Sequence, residues 1–544
     1  MRYLSENKRE DMRMKKRTAA RSMAALMGAA MVLTACGGGN TTAPTTGASS
    51  GGETQTASES AESGKITKTD IVVGQASDIV TLDPAGQQDT TSGVLMKHAY
   101  STLLDVDNEG KVVPDLAESY EMKSDTEYVF KLREDACFWD GTPVTAQDVK
   151  FSLDRAKGMP KTKSNTSKIE EVTVNGDHEV TIKLTEPYAA FKTIVTQHNL
   201  SILSEKAVTE AGDSYGDVDN LLGSGPFKVT EWVPNDHYTL VRNDNYWGEM
   251  PIATSITCRV IPEGSARTIA LEAGEIDVVW SVDPTDCANV ESNPDVKLLS
   301  QPSTGIDYVG MNTQKEKFSD KRVRQAINYA LDKQTFVDTI IEGRGLVANS
   351  YINAAIPGWT DEVEAYPYDP EKAKELLAEA GYPDGFECSI FVNGDLRTRS
   401  AQILQAQLAD VGIKVDISTY EWGALLDTLN AGEHEMFLLG WSNTSFDPDG
   451  STYQLFYSGN HGATGNRAFF SNDKVDELIL SAQRESEESK RMELYKELQV
   501  VLHDESPWCP LYYKENNVGV RADLKGFTLH AGAQHYLGNC HYEE

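Results

Sequence analysis

The chain has 544 residues with 83 acidic against 50 basic side chains, a formal charge of −33. A body this acidic repels phosphate backbones, which argues against nucleic acid as a partner. Its composition, 40% hydrophobic and 24% charged, is that of a globular protein rather than a disordered or membrane-embedded one.

The first segment carries a basic cluster (Lys15, Lys16, Arg17, Arg21), a short apolar run from Met23 to Val32, and the small-residue stretch Leu33-Thr34-Ala35-Cys36. This layout resembles a bacterial lipoprotein signal, with residues 1–35 as the leader. The apolar run is too short to span a bilayer. The resemblance implies that the Cys36 thiol is lipidated and becomes the first mature residue, tethering the rest to the outer face of the cell membrane. Residues 36–64 are rich in Gly, Ser and Thr with hardly any apolar bulk, so they are expected to form a flexible tether. The remainder is long enough to bury two or more cores. Its six cysteines (Cys137, Cys258, Cys287, Cys388, Cys509 and Cys540) are widely spaced, with no C-x-x-C pair. That spacing predicts scattered thiols rather than a zinc or redox site.

Strand and helix patterns then alternate. Asn108 to Gly110 reads as a hairpin turn, because Leu116 stands where a calcium loop needs its bidentate Glu. Thr145-Ala-Gln-Asp148 is a capping box opening a helix. Glu179 to Leu184, Phe227 to Trp232 and Tyr238 to Val241 read as strands. Ser319 or Asp320 can cap one long helix running through Ile341. Asp369-Pro370 opens a helix with Ala373, Leu376, Leu377 and Ala380 on one stripe and Gly381 just past its end. Arg399 to Val411 forms another, stopped by Gly412 and feeding the alternating strand Ile413, Val415, Ile417. Val475 to Leu502 reads as two helices broken around Glu485 to Ser489. The mixture predicts an α/β protein of at least two lobes.

Catalytic signatures do not assemble. His178-Glu179 and His434-Glu435 lack the second His of a metalloprotease helix, and Leu222 precedes Gly223-Ser224-Gly225 where a nucleophile elbow needs Gly. Gly343-Arg-Gly345 follows a helix instead of opening one, which makes it a plain loop rather than a dinucleotide site. No enzymatic activity, cofactor or metal is expected.

Thr81-Leu82-Asp83-Pro84, Phe138-Trp139-Asp140-Gly141-Thr142-Pro143, Gly223 to Gly248, LEAGEIDVV from Leu271, Val309 to Lys333 and Tyr420 to Trp441 occur in this order. Together they resemble the family 5 extracellular solute-binding proteins of ABC importers, the class of peptide, glutathione and nickel receptors. The resemblance implies a bilobal periplasmic-binding-protein fold of type II, with two α/β lobes, an extra subdomain and two crossover segments. Lobe one would comprise 66–309 plus 510–544, with the subdomain inserted near 100–220, and lobe two 311–508. The crossovers would lie near Tyr308-Val309-Gly310 and Pro507-Trp508-Cys509-Pro510. The implied partners are a permease and its ATPase subunits. A peptide-sensing or chaperone-like lipoprotein of the same fold, or a receptor for a non-peptide solute such as a metal chelate, are the other readings.

The candidate ligand loop is Gly440 to Pro448, which offers Trp441 as a flat wall and Asn443, Thr444, Ser445 and Asp447 as polar groups. In dipeptide receptors of the resembled family an Asp three residues after this Trp holds the α-amine, and here that place is Thr444. The carboxylate-binding arginine of those receptors falls at Phe391, with Arg397 and Arg399 nearby. Tyr308 and Asn312, beside the first crossover, complete the candidate set. The GWSNTS pattern resembles the glutathione-receptor branch more than the dipeptide receptors.

Overall fold

The computed structural model describes residues 65–544. Cys36 and the tether lie outside the described residues. Twelve strands form one connected sheet whose centre is the 14-residue strand Trp508–Arg521. The two halves of that strand serve different neighbours. Its first half pairs with Gly305–Met311 on one side and Gly345–Val347 on the other. Its second half pairs with Val296–Pro302 and Val278–Val279. Beyond Val278–Val279 lie Asp70–Gln75, Ser255–Val260, His237–Arg242 and Phe227–Val233, which build the first lobe. Beyond Gly305–Met311 lie Met436–Ser442, Phe386–Val392 and Ile413–Thr419, which build the second.

The switch between lobes therefore falls at Pro302 to Gly305 on one pass of the chain and near Tyr513 to Glu515 on the other. This corrects the expected crossovers, because Tyr308-Val309-Gly310 and Trp508-Cys509-Pro510 lie inside paired strands of the second lobe. Gly310 has a packing reason instead of a hinge reason. A Cβ there would lie 2.1 Å from the Phe437 ring.

Local signals explain most elements. The Asp369 carboxylate accepts from the Lys372 backbone N–H at 2.9 Å, Pro370 takes the first helical position, and Ala373, Leu376 and Leu377 are buried. Helix Gly394–Ala409 begins five residues earlier than its periodicity suggested and ends before Gly412, whose φ of +88° suits only glycine comfortably. It connects the parallel strands Phe386–Val392 and Ile413–Thr419, a βαβ unit. The expected long helix from Asp320 to Ile341 is two helices, Lys321–Ala330 and Lys333–Thr339. Leu331 turns extended and the Asp332 carboxylate caps the second helix through the Gln334 N–H at 3.2 Å. A local side-chain bond thus wins over continued helix. The broken pair near the C-terminus is present as Asp473–Arg484 and Glu488–Glu505.

The inserted subdomain is a four-stranded antiparallel sheet, Ala117–Ser124, Glu127–Leu132, Glu179–Leu184 and Ile169–Gly176 in spatial order. Helix Ala146–Lys157 packs on it, opened by Asp148, whose carboxylate accepts from the Thr145 N–H at 2.9 Å. The insert has its own core around Phe130, Phe138, Val180 and Phe191. The six cysteines of the described residues are unpaired, and all but Cys137 are buried.

Candidate functional site

Strand Met436–Ser442 runs antiparallel to Gly305–Met311 and delivers Gly440, Trp441 and Ser442 to the space between the lobes. There a cavity of about 390 Å³ is walled by Trp441, Trp422 and Tyr308 from the second lobe and Trp280 from the first. It is contiguous, through Asn393, Arg397 and Trp422, with an outer space of about 1130 Å³. Trp441 is anchored by its indole N–H, which donates to the Gly450 carbonyl at 3.0 Å. Tyr308 is fixed by stacking on Trp508 with ring centroids 3.4 Å apart. Aromatic walls set among many polar side chains, Gln197, Asn199, Gln454 and Gln534 among them, suit a solute that carries both apolar and hydrogen-bonding groups.

The loop after Trp441 divides into two kinds of residue. Thr444 lines the cavity, and its hydroxyl donates to Gln197 Oε1 of the first lobe at 2.9 Å. Asn443 and Ser445 are instead consumed in folding the loop. Asn443 Nδ2 donates to the Asp447 carbonyl and to Ser451 Oγ, each at 2.7 Å, and its Oδ1 accepts from Ser445 N–H and hydroxyl. Asp447 is buried in a bidentate pair with Arg491 at 2.8 and 2.5 Å. Asn312 is buried in a turn, donating to the carbonyls of Gly432 and His434. These four of the expected ligand residues do not line the cavity, because their polar groups are already matched by protein. Trp441, Thr444, Tyr308 and Arg397 do line it. Phe391 packs against Tyr420 within the second lobe, and Arg399 bridges the lobes by pairing with Asp283 at 2.6 Å.

Sequence reading missed Asp89 and Arg467, both on the cavity wall. Asp89 caps helix Thr90–Ala99, with Oδ1 accepting from Ser92 N–H at 2.9 Å. Its environment lifts the carboxyl above its ordinary pKa through burial, with the Ser92 bonds and Lys161 pulling the other way. Arg467 is 6% exposed and lies in an irregular loop where no periodicity marks it. Burial pushes its guanidinium down, while Tyr308 and Asp89 oppose that shift. The N-cap pattern at Asp89 was readable, but its exposure to a cleft was not.

Direct bonds span the lobes around this cavity. Tyr188 of the insert donates to Asp449 Oδ2 at 2.6 Å, Ala189 N–H donates to the Gln483 carbonyl at 2.8 Å, and Glu186 pairs with Arg484. Gln88 Nε2 donates to Gln454 Oε1 at 3.2 Å, and Gln454 in turn donates to Asn165.

Two α/β lobes joined by two chain passes, with a cavity between them, define the bilobal periplasmic-binding-protein class. Residues 111–463 match the family described as bacterial extracellular solute-binding proteins, family 5, and the chain belongs to that family. It is 32% identical over 479 residues to the glutathione-binding protein GsiB of Shigella boydii, covering 85% of this chain and 92% of that one. It is 30% identical over 470 residues to the dipeptide-binding protein of Escherichia coli, covering 80% and 86%. Among solved structures it resembles the Helicobacter pylori periplasmic binding protein DppA in complex with the peptide STSA. The TM-score is 0.83 at 28% identity, covering 87% of this chain and 98% of that one.

Proposed function

We propose that this protein is an extracytoplasmic receptor that encloses a peptide or peptide-like solute between its lobes and delivers it to an ABC importer. The permease and ATPase subunits are separate chains, Cys36 carries the lipid anchor, and the protein has no catalytic chemistry of its own. The observation that carries the reading is the aromatic-walled cavity of about 390 Å³ bridged by direct hydrogen bonds between the lobes. Its volume lies within the range of small-molecule sites, roughly 300–1,000 Å³. The glutathione- and dipeptide-binding relatives support the same ligand class. The lobes move about Pro302 to Gly305 and Tyr513 to Glu515, where the strand Trp508–Arg521 exchanges second-lobe partners for first-lobe ones. Calorimetry with glutathione and with short peptides, paired with small-angle scattering, tests this. Saturable binding with a decrease in dimensions is expected, and absence of binding by every peptide would refute it.

A further inference from the structure

Among the described residues, arginines almost always find a charged or carbonyl acceptor. Twelve of the fourteen bond or pair with a carboxylate, a backbone carbonyl, or both. Examples are Arg491 on Asp447, Arg155 on Asp83, and Arg267 on the carbonyls of Ile261 and Pro262. The two exceptions are Arg397 and Arg467, and both line the same cavity. Arg397 donates from Nη1 to Asn393 Oδ1 at 2.7 Å, while its Nε is buried without a partner. Arg467 donates from Nε to Asn430 Oδ1 at 3.0 Å, leaving the fork end of the guanidinium uncommitted. Each is thus oriented by one neutral amide oxygen and keeps bidentate donor capacity for a carboxylate.

The pattern runs against the charge of the whole chain, in which acidic side chains outnumber basic ones by 83 to 50. A third cavity cation, Lys514, is already matched by Asp307 at 2.8 Å. One carboxylate shows the complementary feature: Asp89 Oδ2 is buried with no hydrogen-bond partner. Leaving buried charges unpaired is costly, and a ligand of opposite charge removes that cost.

We propose that the cleft selects a small peptide-like solute bearing two carboxylates and one ammonium. Arg397 and Arg467 each take a carboxylate, and Asp89 takes the ammonium. This rests on the receptor reading above and narrows its ligand class. It also accounts for the neutral Thr444: the amine is held from the first lobe, so the loop after Trp441 needs no charge.

The test is calorimetry on the full chain with two matched probe pairs, Ala-Glu against Ala-Gln and glutathione against its glycine ethyl ester. Each pair differs by one carboxylate. A preference of tenfold or more for the dicarboxylate member of at least one pair is expected. Arg467→Met and Arg397→Met, checked for folding by thermal melts, should each weaken the dicarboxylate at least tenfold, and one of them should abolish the within-pair difference. Asp89→Asn should weaken free amines and spare their N-acetyl forms. Equal binding within both pairs by the wild type overturns the inference and leaves the receptor reading standing, and this comparison needs no variant to fold. Equal loss of both pair members in each arginine variant also overturns it, since it assigns the arginines to structure alone. If no probe binds, both readings fall together.

Discussion

Tyr188→Phe isolates what holds the lobes together. The ring stays in the insert's core, and only the hydroxyl that reaches Asp449 Oδ2 at 2.6 Å is lost. Asp449 sits in a seam where burial and the neighbouring Asp447 lift its carboxyl to about 6, against the donors Tyr188 and Gln483. A hydrogen bond to a charged group contributes about 1.5–3 kcal/mol. If this one forms only when the lobes meet, ligand affinity falls by roughly ten- to a hundredfold, since about 1.4 kcal/mol is a factor of ten. The pH dependence has a fixed sign. A carboxyl whose pKa is raised in the closed state disfavours closure when charged. The penalty is present above about 6, and it is relieved as pH falls through that value toward the ordinary carboxylate pKa. Because Asp89 is also lifted by burial and acts in the opposite sense on a free amine, the readout is the difference between wild type and Tyr188→Phe: the variant should gain affinity relative to wild type on going from pH 7.5 to 5, because losing a donor raises the Asp449 carboxyl further. Calorimetry at the two pH values reads both effects. Unchanged affinity in the variant would mean that the seam is equally formed with the cleft open.

Trp441→Ala should weaken binding by about 2 kcal/mol, the scale of an aromatic hot spot, with little change in circular dichroism; undiminished affinity would remove this wall from the site. His98 is held neutral, with Nδ1–H donating to the Val94 carbonyl and Nε2 accepting from Leu537 N–H, and burial pushes it down to about 4. Its stabilisation is complete above about 6.5 and fades as pH falls toward 4, a loss of roughly 3 kcal/mol. Asp115 and Asp449, lifted to about 7 and about 6, act in the opposite sense, so the readout is the difference in melting between wild type and His98→Gln at pH 7.5 and 5. The two melting differences should be unequal, and equal ones would contradict the assignment. Cys36→Ala should release the protein from membranes, and acyl labelling that persists in this variant would sink the lipid anchor.

Elements defined by local chemistry were legible in the sequence. The Asp369-Pro370 cap, the Thr145–Asp148 box and the Gly412 stop are each written within a few residues, and each is found as written. Elements decided by tertiary competition were not. Nothing in the pattern from Asp320 to Ile341 announces that Asp332 will recapture the chain. The crossover near Gly310 was implied by the resemblance, and composition cannot distinguish a turning glycine from one that makes room for Phe437. Trp441, Thr444, Tyr308 and Arg397, candidates from the sequence, line the cavity, while Asn443 and Asp447 show how a polar loop residue can be occupied internally. Asp89 and Arg467 lie far apart in the chain, and only the fold brings them to one cavity.

The central strand Trp508–Arg521 is a segment the two lobes hold in common. In the second lobe it runs between Gly305–Met311 and the short strand Gly345–Val347, and in the first between Val278–Val279 and Val296–Pro302. Each sheet therefore depends on a non-local pairing with the same segment, and neither is complete until that segment has docked. A truncation before Trp508 opens two sheets at once, rather than leaving one intact lobe behind.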